Sequence, residues 1–215
     1  MIIGELIERA LIDTKKRKIG DVRAGLGYTG VMLDDKACGL AYTFRNELGC
    51  CCGTLGVAGS LIGMDAEEII PWAKEDDRLK AAIGLAAINA VLNDPGKNFP
   101  KGNVLDAFML RESDTFGMVG DFQPILSKVK TMTNNVYIFE QQVCEGCGIY
   151  PSEMIPRYLP ECDAVVITAT SIINHTIDDI IPYCKNAAAV CLLGPSTPLC
   201  AEVFEKYDIT LLAGS

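Results

Sequence analysis

The run AVVIT, residues 164–168, has four apolar residues in succession and lacks the alternation of a half-exposed strand. The run AVCLL, residues 189–193, has the same pattern, and a helical segment separates the two. Strands that are apolar on both faces are typical of parallel sheets covered by helices on each side. These runs therefore predict an α/β fold with a parallel sheet in the second half of the chain.

Further strands and helices alternate around these two runs. We predict strands at residues 115–119, 136–140, 164–168, 188–193 and 209–212, with helices between them at 124–132, 152–158, 177–184 and 198–207. This order is typical of a Rossmann-like domain, in which ligands bind beyond the carboxyl ends of the strands. The sequence stops at LLAGS, just after the last predicted strand, where a closing helix is expected.

The first half of the chain has a different pattern. Apolar residues at helical spacing predict a helix at the start of the chain, and short glycine-bearing runs between residues 20 and 44 predict an antiparallel meander. Residues 79–92, LKAAIGLAAINAVL, are apolar around the full circumference of a helix, which indicates burial. Asn89 is the strongly polar side chain in this helix, and it either bonds to neighbouring backbone or faces a site between domains.

A segment rich in proline, glycine and asparagine follows the buried helix. This segment, NDPGKNFPKGN at residues 93–103, is the best candidate for a linker. We therefore predict a small α+β domain over residues 1–98 and the Rossmann-like domain over residues 99–215.

Charge and hydropathy argue against several classes of partner. The net charge is −9 and no basic stripe offsets it, so the surface would repel a phosphate backbone. Glu5, Glu8 and Arg9 interrupt the opening apolar segment, which argues against a secretory signal. No uncharged run reaches the roughly 20 residues that a membrane span needs. We expect a cytoplasmic protein that binds neither nucleic acid nor membranes.

Ten cysteines in a cytoplasmic chain are expected to be reduced thiols. Five of them lie in or beside apolar segments and are predicted to pack in the core: Cys38, Cys162, Cys184, Cys191 and Cys200. Cys144 and Cys147 have the C-x-x-C spacing of a zinc site, and Cys50–Cys52 could supply further thiolates, but a second C-x-x-C or a histidine partner is missing.

The loop after the first predicted strand of the sheet is VGDFQPIL, residues 119–126. Gly120 alone would make this turn, so the match to G-x-G-x-x-G is poor. Asp121 would oppose a pyrophosphate, which favours a ligand that offers hydroxyl, amine or metal. The alternative is an ordinary strand-to-helix turn.

Glu140 closes the next predicted strand, twenty residues after Gly120. Nucleotide-binding folds keep an acidic residue there for ribose hydroxyls. An exposed glutamate at a strand end is the competing interpretation.

Short polar side chains are concentrated in TATSIINHTIDD, residues 168–179, which follows the AVVI strand. Thr170, Ser171 and Asn174 are candidate ligand contacts, whereas Thr176 and Asp179 have the spacing of a helix-capping pair. His175 is the single histidine of the chain, so an imidazole base or metal ligand must be this residue; a solvated loop histidine is the alternative.

The turn GPSTPL, residues 194–199, follows the AVCLL strand and carries the hydroxyls of Ser196 and Thr197. These hydroxyls are either ligand contacts or caps of the next helix. The chain has no Walker A loop, no G-x-S-x-G and no H-E-x-x-H.

Six pieces of the sequence together resemble a prokaryotic heavy-metal-chelation family of unknown function: GMVGDFQPIL, YIFE, ITATSIINHTID, GPSTPL, GLAYT and AAINAVLN. The resemblance implies an enolase N-terminal-like domain followed by a Rossmann-like domain, with the site between them. It implies metals or small chelating molecules, siderophore-like or pterin-like, as ligands. The positions it marks are Gly120, Phe122, Glu140, Thr170, Ser171, Asn174, His175, Ser196 and Thr197, with Asn89 from the first domain.

Three functions remain open at this point. The first is binding, and condensation or hydrolysis, of a small metal-chelating molecule, with His175 and Glu140 as the catalytic ionisable groups. The second is a methyltransferase-like enzyme that uses S-adenosylmethionine, with Glu140 on the ribose hydroxyls. The third is a non-enzymatic metal carrier built on cysteine thiolates.

Overall fold

The computed structural model describes residues 1–48, 55–94, 96–97, 99–143 and 148–215. It contains a three-stranded antiparallel sheet, the small sheet, and a six-stranded parallel sheet, the large sheet. Helices accompany both sheets. The predicted α/β fold, with a small α+β part and a Rossmann-like part, is confirmed.

In the described part of the first half, residues 1–48 and 55–94, the chain forms the small sheet and three α-helices. The order is α1 (Ile2–Asp13), β1 (Ile19–Ala24), β2 (Tyr28–Leu33), β3 (Cys38–Tyr42), α2 (Ala66–Ile69) and α3 (Arg78–Leu92). Consecutive strands pair in the order β1-β2-β3, which confirms the predicted meander. Asp77 caps α3 by accepting hydrogen bonds from the backbone N–H groups of Leu79 and Lys80.

The buried helix α3 lies directly against β3. Gly39 makes this close approach possible, because a Cβ at this position would be 2.2 Å from the carbonyl oxygen of Ala86. Nearly the whole of α3, including Asn89, is buried, as its apolar circumference predicts.

The second half of the chain contains the large sheet. Its elements are β4 (Thr115–Val119), α4 (Gln123–Val129), β5 (Asn135–Glu140), β6 (Tyr150–Pro151), α5 (Ile155–Tyr158), β7 (Ala164–Thr168), α6 (Thr170–Ile173), α7 (Ile177–Ile180), β8 (Ala189–Leu193), α8 (Ala201–Phe204) and β9 (Leu211–Ala213). The strand order β6-β5-β4-β7-β8-β9 is the 3-2-1-4-5-6 order of doubly wound nucleotide-binding folds.

The helices of this half are shorter than predicted, and a proline explains one of the interruptions. Helix α7 gives way to a 3₁₀ turn at Ile181–Cys184, within the helix predicted at 177–184. Pro182 lies at the start of this turn and lacks the N–H that would continue the α-helical hydrogen bonding. The short strand β6 was not predicted.

Both faces of the large sheet are covered. Val165 and Ile167 of β7 belong to a core cluster that also contains residues of α1 and α3, whereas Val166 belongs to a second cluster with Leu126 and Val129 of α4. Because the first cluster runs through both halves of the chain, they share one core. The domain boundary after residue 98 lies in the segment between α3 and β4, and it stays a prediction.

Within the residues that the structure describes, no helix has the length and apolar character needed to cross a membrane.

Candidate functional site

A cavity of about 810 Å³ lies at the carboxyl ends of four neighbouring strands, β4, β5, β7 and β8. The loops after these strands line it, and so does the end of the small sheet at which β2 begins and β3 ends. From β4 the following strands are added on one side of the sheet, as β5 and β6, and from β7 they are added on the other side, as β8 and β9. Open α/β sheets bind ligands at the point where the strand order changes in this way, which here lies between β4 and β7. The predicted crevice is therefore present.

Two glycine turns shape the floor of the cavity. Gly120 has a φ of +97°, and a Cβ there would be 2.8 Å from the Cβ of Thr168, so this position requires glycine. Gly194, with a φ of +123°, makes the corresponding turn after β8. The ring of Phe122 lies beside both turns, 3.6 Å and 3.7 Å from where a Cβ at Gly120 and Gly194 would stand.

Glu140 ends β5 and lines the cavity beside the Gly120 turn. Its Oε1 accepts a hydrogen bond of 2.6 Å from the backbone N–H of Asp121, and its Oε2 accepts one of 3.3 Å from Gln141. The carboxylate therefore braces the loop after β4 while it stays within reach of a ligand.

The loop after β7 brings three of the predicted contacts to the cavity: Thr170, Ser171 and Asn174. The Thr170 hydroxyl lies 2.9 Å from that of Thr168, and the Ser171 hydroxyl donates to the Thr168 carbonyl at 2.6 Å. The predicted capping role of Thr176 is wrong. Its hydroxyl donates to Asn174 Oδ1 at 2.8 Å, and its backbone is helical, whereas a capping residue is extended.

The structure does not bring His175 to the cavity. His175 has a φ of +62°, and its Nε2 lies 3.0 Å from the backbone carbonyl oxygen of Ala73 in the first half of the chain. It is absent from the residues that line the cavity, so its position does not support a role as base beside Glu140.

Ser196 lies at the junction of the two halves and lines the cavity. Its hydroxyl oxygen accepts a hydrogen bond from the backbone N–H of Tyr42 at 2.8 Å. The neighbouring Thr197 is fully buried, and its hydroxyl donates to the Ala213 carbonyl at 3.0 Å instead of lining the cavity.

Asn89, on the buried helix α3, holds the turn at Ser196 by hydrogen bonds. Its Nδ2 donates to the backbone carbonyls of Leu40 at 2.7 Å and of Ser196 at 3.2 Å, and its side chain does not line the cavity. Its Oδ1 is buried without a hydrogen-bond partner among the described residues. Of the two interpretations, bonding to neighbouring backbone is the one that this geometry matches.

Acidic side chains dominate the charge of the cavity. Its lining includes Asp121, Glu140, Glu153, Asp178 and Asp179, and it includes no lysine, arginine or histidine from the parts of the chain that the structure describes. None of these five carboxylates forms an ion pair with a described basic side chain. Such a lining attracts cations and repels phosphates.

Sequence reasoning missed the aromatic side of the cavity. Tyr28 begins β2, Tyr42 ends β3 and Phe44 follows it, so all three come from one end of the small sheet. The sequence carried a signal, because Tyr-Thr occurs twice, at residues 28–29 and 42–43. In the structure the hydroxyls of Thr29 and Thr43 lie 2.9 Å apart.

Four of the five cysteines predicted in the core are buried: Cys162, Cys184, Cys191 and Cys200. Burial raises the pKa of Cys162, Cys184 and Cys191 to about 12, which disfavours the reactive thiolate. The prediction is wrong for Cys38, which is exposed because the side chains of β3 alternate and Cys38 is on the outer face.

The cysteine pairs of the predicted metal site, Cys50–Cys52 and Cys144 with Cys147, lie outside the described residues. Within the described ranges, no three histidine, cysteine, aspartate or glutamate side chains are grouped closely enough to hold a metal ion.

Comparisons with known proteins agree with this architecture. A relative from Methanocaldococcus jannaschii, named only as an uncharacterized protein, is 30% identical over all of this chain and 86% of its own length. The crystal structure of a protein of unknown function from Desulfitobacterium hafniense has a TM-score of 0.82 at 24% identity, over 99% of this chain and 85% of that one. A structure from Pyrococcus horikoshii, also of unknown function, has a TM-score of 0.84 at 24% identity, over 99% and 87%.

Both solved structures are described as members of the DUF364 family, and at this identity they show the fold alone. Two family models match the chain: DUF4213 over residues 5–92 and DUF364 over residues 103–215. Both carry the description "Putative heavy-metal chelation". The chain therefore belongs to the DUF364 family, with a DUF4213 domain preceding the DUF364 domain.

Proposed function

We propose that this protein binds a small, positively charged metal chelate in the cavity at the carboxyl edge of the large sheet. The observation that carries the proposal is the set of five carboxylates that line the cavity without a described basic side chain. In a cleft with low-dielectric walls, carboxylates act together and raise the local concentration of cations.

The size of the cavity supports an organic ligand. A volume of about 810 Å³ falls within the range of roughly 300–1,000 Å³ that is typical of small-molecule sites. A bare ion would occupy a small part of it. A metal held by its own chelator, siderophore-like or pterin-like, accounts for both the volume and the family's association with metals.

Condensation or hydrolysis of the ligand would need a group that transfers protons. Of the two ionisable residues predicted for this role, Glu140 lines the cavity and His175 does not. Glu140 is therefore the candidate general base in any turnover of the bound ligand.

The test compares two ferric chelates of opposite charge by isothermal titration calorimetry. We expect a positively charged trihydroxamate complex to bind and a negatively charged tricatecholate complex not to bind. Replacing Glu153→Gln together with Asp179→Asn should weaken the cationic complex several-fold, because both carboxylates line the cavity.

The matched control is Glu67→Gln with Glu68→Gln on α2, which removes the same charge outside the cavity. It should leave the affinity nearly unchanged. Equal binding of both complexes, or an equal effect of the two double variants, would contradict a cation-selective cavity.

A second candidate function is that of a methyltransferase-like enzyme that uses S-adenosylmethionine. The position of Glu140 favours it, because this residue ends the strand next to β4 and braces the Gly120 turn, where related folds place the acid that binds ribose. Calorimetric binding of S-adenosylmethionine that is lost in Glu140→Gln would support this function. The amide oxygen introduced by this substitution would still present an acceptor to the Asp121 N–H, so the loop should keep its shape.

A further inference from the structure

We infer that the ligand of this cavity presents a planar aromatic cation, which stacks on an aromatic wall formed by Tyr28, Tyr42 and Phe44. The inference rests on the proposed function, since it assumes that the acidic cavity is the binding site. It goes further by specifying the organic part of the ligand: a flat, positively charged ring system instead of an aliphatic cation.

The three rings of the wall are neighbours in series. Tyr28 and Tyr42 are register partners across β2 and β3, with ring centroids 6.3 Å apart and planes at 83°. Tyr42 and Phe44 are two residues apart along the chain, with centroids 5.1 Å apart and planes at 90°. Because adjacent rings meet edge to face, a planar ligand can stack on the face of one ring while it contacts the edge of the next.

The rings of the wall are available to a ligand. Tyr28 is 49% exposed and Tyr42 is 37% exposed, although both line the cavity. Large aromatic side chains are usually well buried, and two exposed ones side by side in a concave site indicate surface that a ligand covers.

The backbone that carries the wall is held in place before any ligand arrives. Ser196 accepts the hydrogen bond of the Tyr42 backbone N–H, and the buried hydroxyls of Thr29 and Thr43, each next to a tyrosine of the wall, bond to each other. A backbone that is already fixed has less conformational entropy to lose on binding, which favours recognition by the rings it carries.

The charge of the remaining lining selects a cation. The carboxylates of Asp121, Glu140, Glu153, Asp178 and Asp179 come from the large-sheet half of the chain, whereas the rings come from the small sheet. The negative face of an aromatic ring attracts a cation, and carboxylates in the same cavity add to that attraction. A planar aromatic cation can stack on the aromatic rings and be attracted by the carboxylates at the same time. An aliphatic cation is attracted by the carboxylates but offers no ring for stacking.

Three probes separate the contributions of ring and charge in calorimetric titrations of the full chain at about pH 8, where quinoline is neutral and carboxylates are ionised. N-methylquinolinium is a planar aromatic cation, quinoline has the same ring system without the charge, and triethylmethylammonium has the charge without a ring. We expect N-methylquinolinium to bind at least about tenfold more tightly than either of the other two.

The remaining outcomes are distinct. Equal affinity for the two cations, with weaker quinoline, would overturn the aromatic inference and leave the proposed cation site standing. Equal affinity for quinoline and N-methylquinolinium would overturn the charge argument on which the proposed function rests. Binding of none of the three probes would overturn the inference as well.

Two variants locate the site. Tyr42→Leu should weaken N-methylquinolinium binding roughly 3- to 30-fold, whereas Tyr42→Phe should retain most of it, because the ring and the backbone N–H are kept. Phe108→Leu is the control, since Phe108 packs against Phe116 and neither ring lines the cavity. Unchanged affinity in a folded Tyr42→Leu protein, or in Tyr28→Leu should the first variant not fold, would overturn the inference.

Discussion

The hydroxyl oxygen of Ser196 accepts a hydrogen bond of 2.8 Å from the backbone N–H of Tyr42, and this bond joins the two halves of the chain at the cavity. Ser196 is 1% exposed, and the bond is partly buried at the cavity wall. Asn89 donates to the Ser196 carbonyl and to that of Leu40, which fixes the same turn from the other side. The aromatic and acidic walls of the cavity are therefore held in one fixed relation.

The first prediction concerns this bond. Ser196→Ala should lower the free energy of unfolding by about 0.5–1.5 kcal/mol, because it removes the acceptor of the partly buried Tyr42 N–H. Urea unfolding followed by circular dichroism measures the change. Ser127→Ala is the control, because it removes an exposed hydroxyl bond within α4 and should cost less than about 0.5 kcal/mol. Equal losses in the two variants would contradict a joining role for Ser196.

The second prediction concerns the packing of α3 on β3. Gly39→Ala would place a Cβ 2.2 Å from both the carbonyl oxygen of Ala86 and the backbone nitrogen of Ala90. Helix backbone cannot give way as a side chain can, so we expect a loss of about 1–3 kcal/mol or more. Urea unfolding of the variant and of the unmodified protein measures this loss in the free energy of unfolding.

Gly30→Ala, on the neighbouring strand β2, is the matched control for Gly39→Ala. Its Cβ would meet only the end of the Leu40 side chain, at 3.4 Å, which can adjust. Comparable destabilisation by the two substitutions would show that the helix does not lie against Gly39.

The third prediction concerns pH. Hydrogen bonds from Lys206 and Tyr207 hold the pKa of Glu5 below its ordinary value, and they connect α1 to the end of the chain. A carboxylate with a lowered folded-state pKa contributes stability above its ordinary pKa, and this contribution is lost as the pH falls through the lowered value. Tyr207→Phe should therefore reduce stability at neutral pH more than at about pH 3.

The hydrogen bond between Tyr207 and Glu5 also makes stability depend on pH in the alkaline range. The bond to Glu5, together with burial, raises the pKa of Tyr207 to about 12. Neutral Tyr207 therefore contributes stability below its ordinary pKa of roughly 10, and the contribution is lost as the pH rises towards 12. Urea unfolding of Tyr207→Phe across the acidic and the alkaline pH ranges measures both effects, with Tyr150→Phe as the control. A pH profile of Tyr207→Phe parallel to that of the unmodified protein would contradict the assignment.

Several strands of the large sheet could be predicted to within a residue or two. Strands β4, β7 and β8 are apolar along most of their length, and this pattern does not depend on details of packing. The helix at 177–184 was predicted too long because Pro182 starts a 3₁₀ turn inside a segment that looks helical by composition.

The candidate site could be predicted only on the large-sheet side. Polar residues at the ends of parallel strands meet at one edge whatever the rest of the chain does, which is why Gly120, Thr170 and Ser196 were found. The repeated Tyr-Thr pair is visible in the sequence, but Tyr28 and Tyr42 were missed because no local pattern shows which end of the small sheet faces the crevice. The orientation of His175 depends on a positive φ that its sequence context does not announce.

The fourth prediction concerns the thiols. Under native conditions at about pH 8, iodoacetamide should modify Cys38 well before Cys162, Cys184 and Cys191, because the thiolate is the reacting form and burial raises the pKa of these three. Mass spectrometry of peptides after short exposures gives the order of reaction. In urea the differences among these four should disappear, and their persistence there would show that burial is not the cause.

The fifth prediction separates the cavity from a cysteine-based metal carrier. Tetrahedral zinc takes four protein ligands in a structural site, and the chain offers one C-x-x-C, at Cys144 and Cys147, with Cys50–Cys52 as the other thiol cluster. If the cavity is the functional site, adding zinc to the reduced protein should leave the alkylation rates of Cys144 and Cys147 unchanged. The Cys144→Ser variant should then bind the cationic chelate with the same affinity as the unmodified protein. Protection of four of these five cysteines at one equivalent of zinc, drawn from both clusters and abolished by Cys144→Ser, would instead establish a thiolate metal site, because shared protection requires the two clusters to bind the same ion.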